Sequence, residues 1–211
     1  MQKYEWRKSE KKLYLPKTKP EVVDIEEMQF ITISGEGNPN SPAFTGYIEA
    51  LYATAYAIKM TLKNLKSTPQ GYVDYTVYPL EGVWDITDSA KESFTGVINK
   101  DDLVFKLMIR QPDFVTAEFF SEMLELAKKK KTNPLLEQVL FESIAEGTSV
   151  QMMHIGPFDD EAGTFAIMEA FTEQQGLTRL SKSHREIYIS DFRKVAPEKL
   201  KTTLRFSVEG R

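Results

Sequence analysis

Two segments of this chain resemble one another and lie about half of its 211 residues apart. The first is Tyr78–Asp85 and the second is His184–Asp191, and each places a glutamate beside aromatic residues. Both have the β-branched and aromatic content typical of strands. A repeat at this distance is expected of a fold built from two similar halves, so it limits the possible architectures more than any other feature.

The hydrophobic spacing predicts the same order of elements in both halves: strand, helix, strand, strand. In the first half, residues 30–34 form a strand and apolar residues at spacings of three and four predict a helix over 44–65. Strands follow at 72–78, 80–86 and 103–109, with a bend at Pro79. The second half is predicted to contain a strand at 150–155, a helix through 162–171 ended near Gly176, and strands at 186–190 and 202–208.

These elements predict an α+β fold, in which duplicated strand-helix-strand-strand units form antiparallel sheets with helices on one side and a central ligand cleft. Residues 1–20 are polar and basic and are interpreted as an N-terminal arm. Residues 21–211 are predicted to form one domain with halves at about 21–111 and 148–211. The linker, 112–147, contains a helix, and its segment 136–144 is either a strand or a short helix.

Composition excludes several classes of function. The net charge of −4, from 27 basic and 31 acidic residues, disfavours a general nucleic-acid binder. The run Lys128–Lys131 is better explained as the last turn of a helix. Without cysteine, disulfides, thiolate catalysis and cysteine-ligated metals are excluded. No signal peptide and no apolar run of ~20 residues are found, which predicts a cytoplasmic protein without membrane contact.

Strand alternation selects the candidate site residues. Glu186 and Tyr188 share one face of their strand, while Ile187 and Ile189 share the other and supply a core. The polar face is either solvated or lines a pocket. If Gly82 hosts a bulge, Glu81 and Trp84 match Glu186 and Tyr188 in the other half. A carboxylate beside a ring suits flat or cationic organic molecules.

Other candidates are less specific. Tyr47 lies on the first helix, where core packing competes with a place in the cleft, and Phe158 could cover a pocket mouth. His154 and His184 are the two histidines, and neither shows the carboxylate spacing of a zinc site. Neither a nucleophile elbow nor a glycine-rich phosphate loop is present. We therefore expect no metal and no cofactor.

Several motifs together resemble those of a known family. Val150–Glu161 resembles the opening of the GyrI-like small-molecule-binding domain, and Glu186–Asp191 and Val195–Thr202 resemble its closing motifs. The similarity covers nearly the whole chain, because it continues upstream through three further segments: Pro79–Trp84, Phe30–Asn40 and Trp6–Pro16.

The resemblance implies two strand-helix-strand-strand units that form a cleft. In drug-binding members a strand glutamate in an aromatic pocket meets cationic ligands, and by motif that position is Glu186. A free-standing subfamily hydrolyses cyclopropane-containing DNA-alkylating toxins with an aromatic cage. The resemblance places Glu81, Trp84 and Tyr188 in this cage and makes Glu186 or Glu81 the acid/base. Since no DNA-binding module is fused to it, the chain is expected to be a free-standing member.

The sequence thus predicts a protein that binds small xenobiotic molecules in an aromatic, glutamate-containing pocket. The first alternative is a hydrolase that opens cyclopropane-containing DNA-alkylating toxins and protects the cell. The second alternative is a regulator that interacts with gyrase, for which no acidic surface run is present. The expected partner is an aromatic or cationic small molecule, with neither nucleic acid nor membrane.

Overall fold

Strands and helices follow one another largely as the hydrophobic pattern predicts, and the α+β class is confirmed. A computed structural model describes residues 3–210. The helices of this part are α1 (Trp6–Ser9), α2 (Lys11–Tyr14), α3 (Phe44–Asn64), α4 (Asp88–Glu92), α5 (Ala117–Lys130) and α6 (Glu161–Gln174). The strands are β1 (Glu21–Ile25), β2 (Met28–Glu36), β3 (Leu80–Ile86), β4 (Leu103–Gln111), β5 (Leu140–Ile144), β6 (Gly147–Ile155), β7 (Leu177–Arg179), β8 (His184–Tyr188) and β9 (Lys201–Gly210).

The described residues divide into two units, and each brings together distant parts of the chain. The first unit contains the residues up to 5 together with 28–78 and 84–144. The second contains residues 6–27, 79–83 and the chain from 145 onwards. Strand β3 therefore begins in the second unit and ends in the first.

In the first unit, β2 lies between β4 and β5 and pairs antiparallel with both. Helix α3 packs against β2 and β4 because its apolar residues recur every three or four positions, which places them on one face. Three of them, Leu51, Ile58 and Leu62, are fully buried. Helix α5 packs against α3, and the side chain of Thr116 caps its first turn by accepting a hydrogen bond from the Phe119 N–H.

In the second unit the strand order is β1-β6-β9-β8, with β7 on a separate part of β9, and all of these pairs are antiparallel. Alternation gives this sheet two different faces. On the face that we call the helix face, α6 covers an apolar core through Met168. The other members of that core are Val150, Met152, Leu204, Phe206 and Val208.

The opposite face, which we call the arm face, is covered by α1, α2 and the segment after them. Trp6 and Tyr14 are each only 2% exposed, and their rings lie 5.1 Å apart. The Thr203 hydroxyl donates to the Tyr14 carbonyl at 2.8 Å, and the Arg205 guanidinium donates to the Leu13 carbonyl at 2.7 Å. Side chains of the sheet thus satisfy backbone carbonyls of the arm, which holds this short segment in place.

One local prediction needs correction, and one open alternative can be resolved. Residues 72–78 form no strand, since only Tyr75 makes an isolated bridge, to Tyr4. Tyr72 and Tyr75 instead place their rings against Phe114 from an irregular segment, so ring packing took the place of a ladder. The ambiguous segment 136–144 contains both candidates, because a short 3₁₀ turn (Pro134–Gln138) precedes β5.

Within residues 3–210, none of the helices combines the length and the apolar character that crossing a bilayer requires.

Candidate functional site

A cluster of two glutamates and a histidine lies on the helix face of the second unit, where the start of α6 meets β8. His184 and Glu186 come from alternate positions of β8, and Glu161 is the first residue of α6. Potential ligand atoms of all three side chains lie within 4.8 Å of one another. His184 Nε2 is 3.1 Å from Glu186 Oε1. We call these three residues the Glu–His–Glu cluster.

Both carboxylates of the cluster are nearly buried. Glu161 is 6% exposed and Glu186 is 9% exposed. Burial raises the pKa of Glu161 well above its usual range, and the neighbouring charge of Glu186 raises it further. Within the described residues, no lysine or arginine forms an ion pair with either carboxylate; His184 is the one basic side chain in contact. Glu161 therefore favours its protonated form, in which it hydrogen-bonds with Glu186, and the protein supplies little positive charge to the pair.

Aromatic rings border the cluster on two sides. Phe165, one turn along α6 from Glu161, places its ring 4.6 Å from that of His184 in a T-shaped contact. Phe158 and Tyr188 form a second T-shaped pair with centroids 5.8 Å apart. Phe158 is 38% exposed, so this second pair is nearer to solvent than the carboxylates.

Three of the residues predicted from sequence, Glu186, Tyr188 and Phe158, are therefore brought together in the second unit. Tyr188 follows Glu186 on the same face of β8, as strand alternation predicts. Phe158, in the 3₁₀ turn before α6, contacts the ring of Tyr188. These three residues, together with His184 and Glu161, form the candidate site.

Glu81 lies in a different environment, on the arm face of the same unit. It is 1% exposed and accepts a hydrogen bond from Arg185 Nη1 at 3.0 Å. Arg185 Nε also lies 3.4 Å from Glu146 Oε2, and Arg205 Nη1 donates to the same oxygen at 3.0 Å. Burial raises the pKa of Glu81, an effect that the charge of Arg185 opposes.

The structure does not bring Glu81 and Glu186 together. Arg185, the partner of Glu81, pairs across the sheet with Arg205 on the arm face, whereas Glu186 pairs with Leu204 on the helix face. Adjacent residues of a strand point to opposite faces, so the two carboxylates are separated by the sheet itself. The two glutamates therefore have different neighbours. Glu81 pairs with an arginine, whereas Glu186 lies beside a histidine and a second carboxylate.

Trp84 and Tyr47 lie in a ring cluster of the first unit. Phe105 is central to it, with ring centroids 5.3 Å from Trp84, 5.1 Å from Tyr47 and 5.1 Å from Phe44. Trp84 is 6% exposed and Phe105 is 4% exposed, while Tyr47 and Phe44 are half-buried. The cluster joins α3 to the sheet and leaves two rings partly accessible.

Glu161 and His184 were not selected from the sequence, although one signal for Glu161 was present. The apolar stripe of α6 includes Phe165 and Met168, and Glu161 falls four residues before Phe165 on the same stripe. A carboxylate at a core-facing helical position is uncommon and marks a functional candidate. For His184 the contact with Glu161 depends on tertiary packing, and no spacing along the chain reveals it.

Comparison with known proteins identifies related domains. The profile of the GyrI-like small molecule binding domain matches residues 18–209. No curated protein matches the chain. A crystal structure of a hydrolase from Listeria innocua is 40% identical in sequence, with a TM-score of 0.85 over 98% of this chain and 100% of that chain.

A second Listeria innocua structure, of an uncharacterized conserved protein, is also 40% identical, with a TM-score of 0.88 over the same shares of both chains. The C-terminal domain of EcmrR is 16% identical, with a TM-score of 0.54 over 92% of this chain and 98% of that one. At that identity the EcmrR domain supports the fold alone.

Proposed function

The chain belongs to the GyrI-like small-molecule-binding domain family, and from this we propose that its second unit binds flat organic cations at the Glu–His–Glu cluster. The observation that carries the proposal is the pair of nearly buried carboxylates, Glu161 and Glu186, with no lysine or arginine partner among the described residues. A buried carboxylate without a counter-charge costs free energy, and a bound cation would recover it.

The neighbouring rings supply the rest of the recognition. Phe158 and Tyr188 offer faces and edges beside the carboxylates, and a cation over a ring gains about 1–2 kcal/mol where water is excluded. A flat ligand gains apolar contact from the same rings. Charge and shape together therefore favour a flat, delocalised cation over a small, strongly hydrated one.

A pair of dyes tests the proposal. Proflavine is a flat cation at neutral pH, and acridine is the same ring system without the charge. We expect the fluorescence of proflavine to be quenched or shifted when the dye binds. The Glu186→Gln change should raise the Kd of proflavine at least tenfold, because the cation loses a charge partner. Acridine should bind more weakly to the wild-type protein and be little affected by the same change.

Controls for this experiment come from the same elements. Glu173→Gln removes an exposed carboxylate from α6 and should leave the proflavine Kd unchanged. Phe158→Ala should raise it about 5- to 30-fold, the equivalent of 1–2 kcal/mol. Equal proflavine affinity in the wild-type, Glu161→Gln and Glu186→Gln proteins would exclude the cluster as the binding site.

Hydrolysis is the second candidate, favoured by the 40% identity over nearly the full length to a Listeria innocua hydrolase. For a cyclopropane-containing DNA-alkylating toxin, the rings would hold the flat substrate while Glu186 and His184 position a water molecule for attack on a ring carbon. A hydrogen bond to the substrate carbonyl would stabilise the charge that develops there. The product is one water heavier than the substrate.

A mass-spectrometric time course with catalytic amounts of protein tests this activity. Many turnovers that are lost in Glu186→Gln would support a hydrolase, whereas binding without product would leave the first proposal. The same series should include Glu81→Gln and Trp84→Ala, because the predicted places of Glu81 and Trp84 in the aromatic cage stay predictions. Gyrase interaction also stays a prediction.

A further inference from the structure

The Glu–His–Glu cluster has the composition and spacing of a metal-ligand set. Strand alternation places His184 and Glu186 side by side, and the first residue of α6 brings Glu161 to the same point. The donor atoms lie within 4.8 Å of one another, and His184 Nε2 is 3.1 Å from Glu186 Oε1. Two donors bound at ~2.0–2.1 Å to one tetrahedral ion lie about 3.3 Å apart, close to that separation.

A second observation, independent of this spacing, is a buried polar atom that lacks a partner in the same cluster. Glu161 is 6% exposed, and its Oε1 has no hydrogen-bond partner among the described residues. A buried polar oxygen without a partner is costly, and most such atoms in native proteins are hydrogen-bonded or bound to an ion. One carboxylate oxygen at the cluster is therefore available as a ligand.

We propose that Glu161, His184 and Glu186 bind one divalent first-row transition-metal ion, through His184 Nε2 and one oxygen of each carboxylate. Chain spacing alone predicted no metal, because the three ligands come from two elements that meet only in the folded unit. Three protein ligands leave at least one coordination position open to water or to a bound molecule. The inference concerns the same pocket as the proposed function and deepens it.

The donor set narrows the choice of metal. An imidazole nitrogen with two carboxylates suits Zn²⁺, Mn²⁺, Fe²⁺ and Co²⁺, whereas Mg²⁺ and Ca²⁺ prefer oxygen ligands alone. The chain has no cysteine, so thiolate-dependent ions are disfavoured. The ring of Phe165, 4.6 Å from that of His184, restricts the orientation of the imidazole.

The metal and an organic cation should exclude one another, because both neutralise the same two carboxylates. With Zn²⁺ bound, proflavine should bind at least tenfold more weakly, while neutral acridine should keep its affinity. The metal-loaded pocket would instead favour neutral or anionic molecules. Metal occupancy would thus select the ligand class, and the bound ion would supply an electrophile for water or carbonyl oxygen.

Calorimetric titration of the EDTA-treated, dialysed protein with Zn²⁺, and visible spectra with Co²⁺, test the proposal. We expect one ion to bind per chain with a micromolar or lower Kd. The visible spectrum of the Co²⁺ protein should have the intense bands of a four- or five-coordinate ion. Glu161→Gln and His184→Gln should each raise the Kd at least tenfold. His154→Gln and Glu173→Gln remove the other imidazole and an exposed α6 carboxylate, and both should bind as the wild type does.

The wild-type protein provides a second measurement that does not depend on the folding of variants. Because the chain has two histidines, its imidazole NMR spectrum contains two ring systems. Zn²⁺ should shift the ring signals of His184 and leave those of His154, whose nitrogens contact Thr164 and the Pro157 carbonyl. Absence of one-to-one binding, equal shifts of both rings, or full binding in Glu161→Gln would overturn the proposal.

Failure of this inference can be told apart from failure of the proposed function. Proflavine binding in EDTA that depends on Glu186, with no Zn²⁺ binding, would refute the metal site and retain the organic-cation site. Zn²⁺ binding that depends on the three ligands, with no proflavine binding, would retain the metal site and refute the organic-cation site. Loss of both would refute the cluster as a site of either kind.

Discussion

Arg185 and Glu186 are neighbours on β8 but have different contacts, because adjacent residues of a strand point to opposite faces of the sheet. Arg185 lies on the arm face, where it holds Glu81 and Glu146, and Glu186 lies on the helix face with His184. Among the described residues, one carboxylate of the predicted pair thus contacts a guanidinium, and the other contacts a histidine but no lysine or arginine. The two glutamates therefore differ in their partners rather than in their burial.

Glu81→Gln tests the structural role of the buried ion pair. The change keeps the shape of the side chain but removes one of the two carboxylates that lie next to Arg185, while Glu146 remains. We expect the free energy of unfolding in urea to fall by about 3 kcal/mol, the lower end for breaking a buried pair, since one acidic partner remains. Asp191→Asn, which breaks an exposed pair with Arg193, should cost less than about 1 kcal/mol. If Glu81→Gln costs no more than this control but abolishes turnover, its predicted catalytic role is supported instead.

Gly35→Ala tests the packing of the ring cluster in the first unit. A Cβ at this position would lie 2.6 Å from Phe105 Cζ and 2.7 Å from Tyr47 Cε1, so both rings would have to move. We expect the free energy of unfolding to fall by about 1–3 kcal/mol, with a change in tryptophan fluorescence as Trp84 shifts with Phe105. Gly163→Ala on α6 meets no atom within 4 Å and should be neutral or stabilising by up to about 1 kcal/mol. Unchanged stability in Gly35→Ala would show that the cluster is loosely packed.

At the scale of elements, α6 and the arm cover the two faces of one sheet with different chemistry. Helix α6 supplies an apolar stripe and, at its first residue, the carboxylate of Glu161. The arm supplies two buried rings and backbone carbonyls that accept hydrogen bonds from β9. The helix face therefore contains the candidate site, while the arm face contains the buried charge network.

Trp6→Ala tests whether the arm is part of the stable core. Trp6 is 2% exposed on a helix of only four residues, so packing rather than helix propensity must hold α1. Loss of its ring should cost about 3–5 kcal/mol of unfolding free energy and make the arm sensitive to proteolysis. Lys8→Ala, at an exposed position of the same helix, should change stability by less than about 0.5 kcal/mol. Similar protease sensitivity in both variants would mean that the arm does not depend on Trp6.

At the scale of the whole molecule, the charge balance bears on its partners. The net charge is −4, and the lysine run at the end of α5 is partly neutralised. Lys128 lies 2.9 Å from Glu125 and 2.8 Å from Glu137. This arrangement supports the interpretation of the run as a helix terminus.

We therefore expect no binding of duplex DNA. Fluorescence anisotropy with a labelled duplex should show no change up to tens of micromolar protein at about 150 mM salt, since few phosphate contacts are available. A Glu125→Lys, Glu137→Lys double variant frees Lys128 and adds positive charge, so it serves as the positive comparison. Salt-dependent binding by the wild type that disappears when Lys128–Lys131 are changed to glutamine would contradict this expectation.

Local patterns were sufficient for most of the elements. Strand β3 was predicted at its observed bounds, and α3 within one residue, because alternation and helical spacing depend only on near neighbours. The segment 72–78 was the exception, since its tyrosines satisfy their packing without a ladder. Family membership was also readable from the sequence, because several motifs occur in the same order along the chain.

The composition of the candidate site depended on tertiary structure. The sequence pattern indicates Glu186 and Tyr188 because they share one face of β8. It also indicates Phe158, whose ring contacts that of Tyr188. It paired Glu186 with Glu81 by analogy between the halves, whereas packing of α6 on β8 gives Glu186 a different partner, Glu161. Periodicity reveals which face of its own element a residue occupies, but the element that covers that face is chosen by long-range packing. Within residues 3–210, that choice decides that Glu81 pairs with an arginine and that Glu186 lies beside a histidine and a second carboxylate.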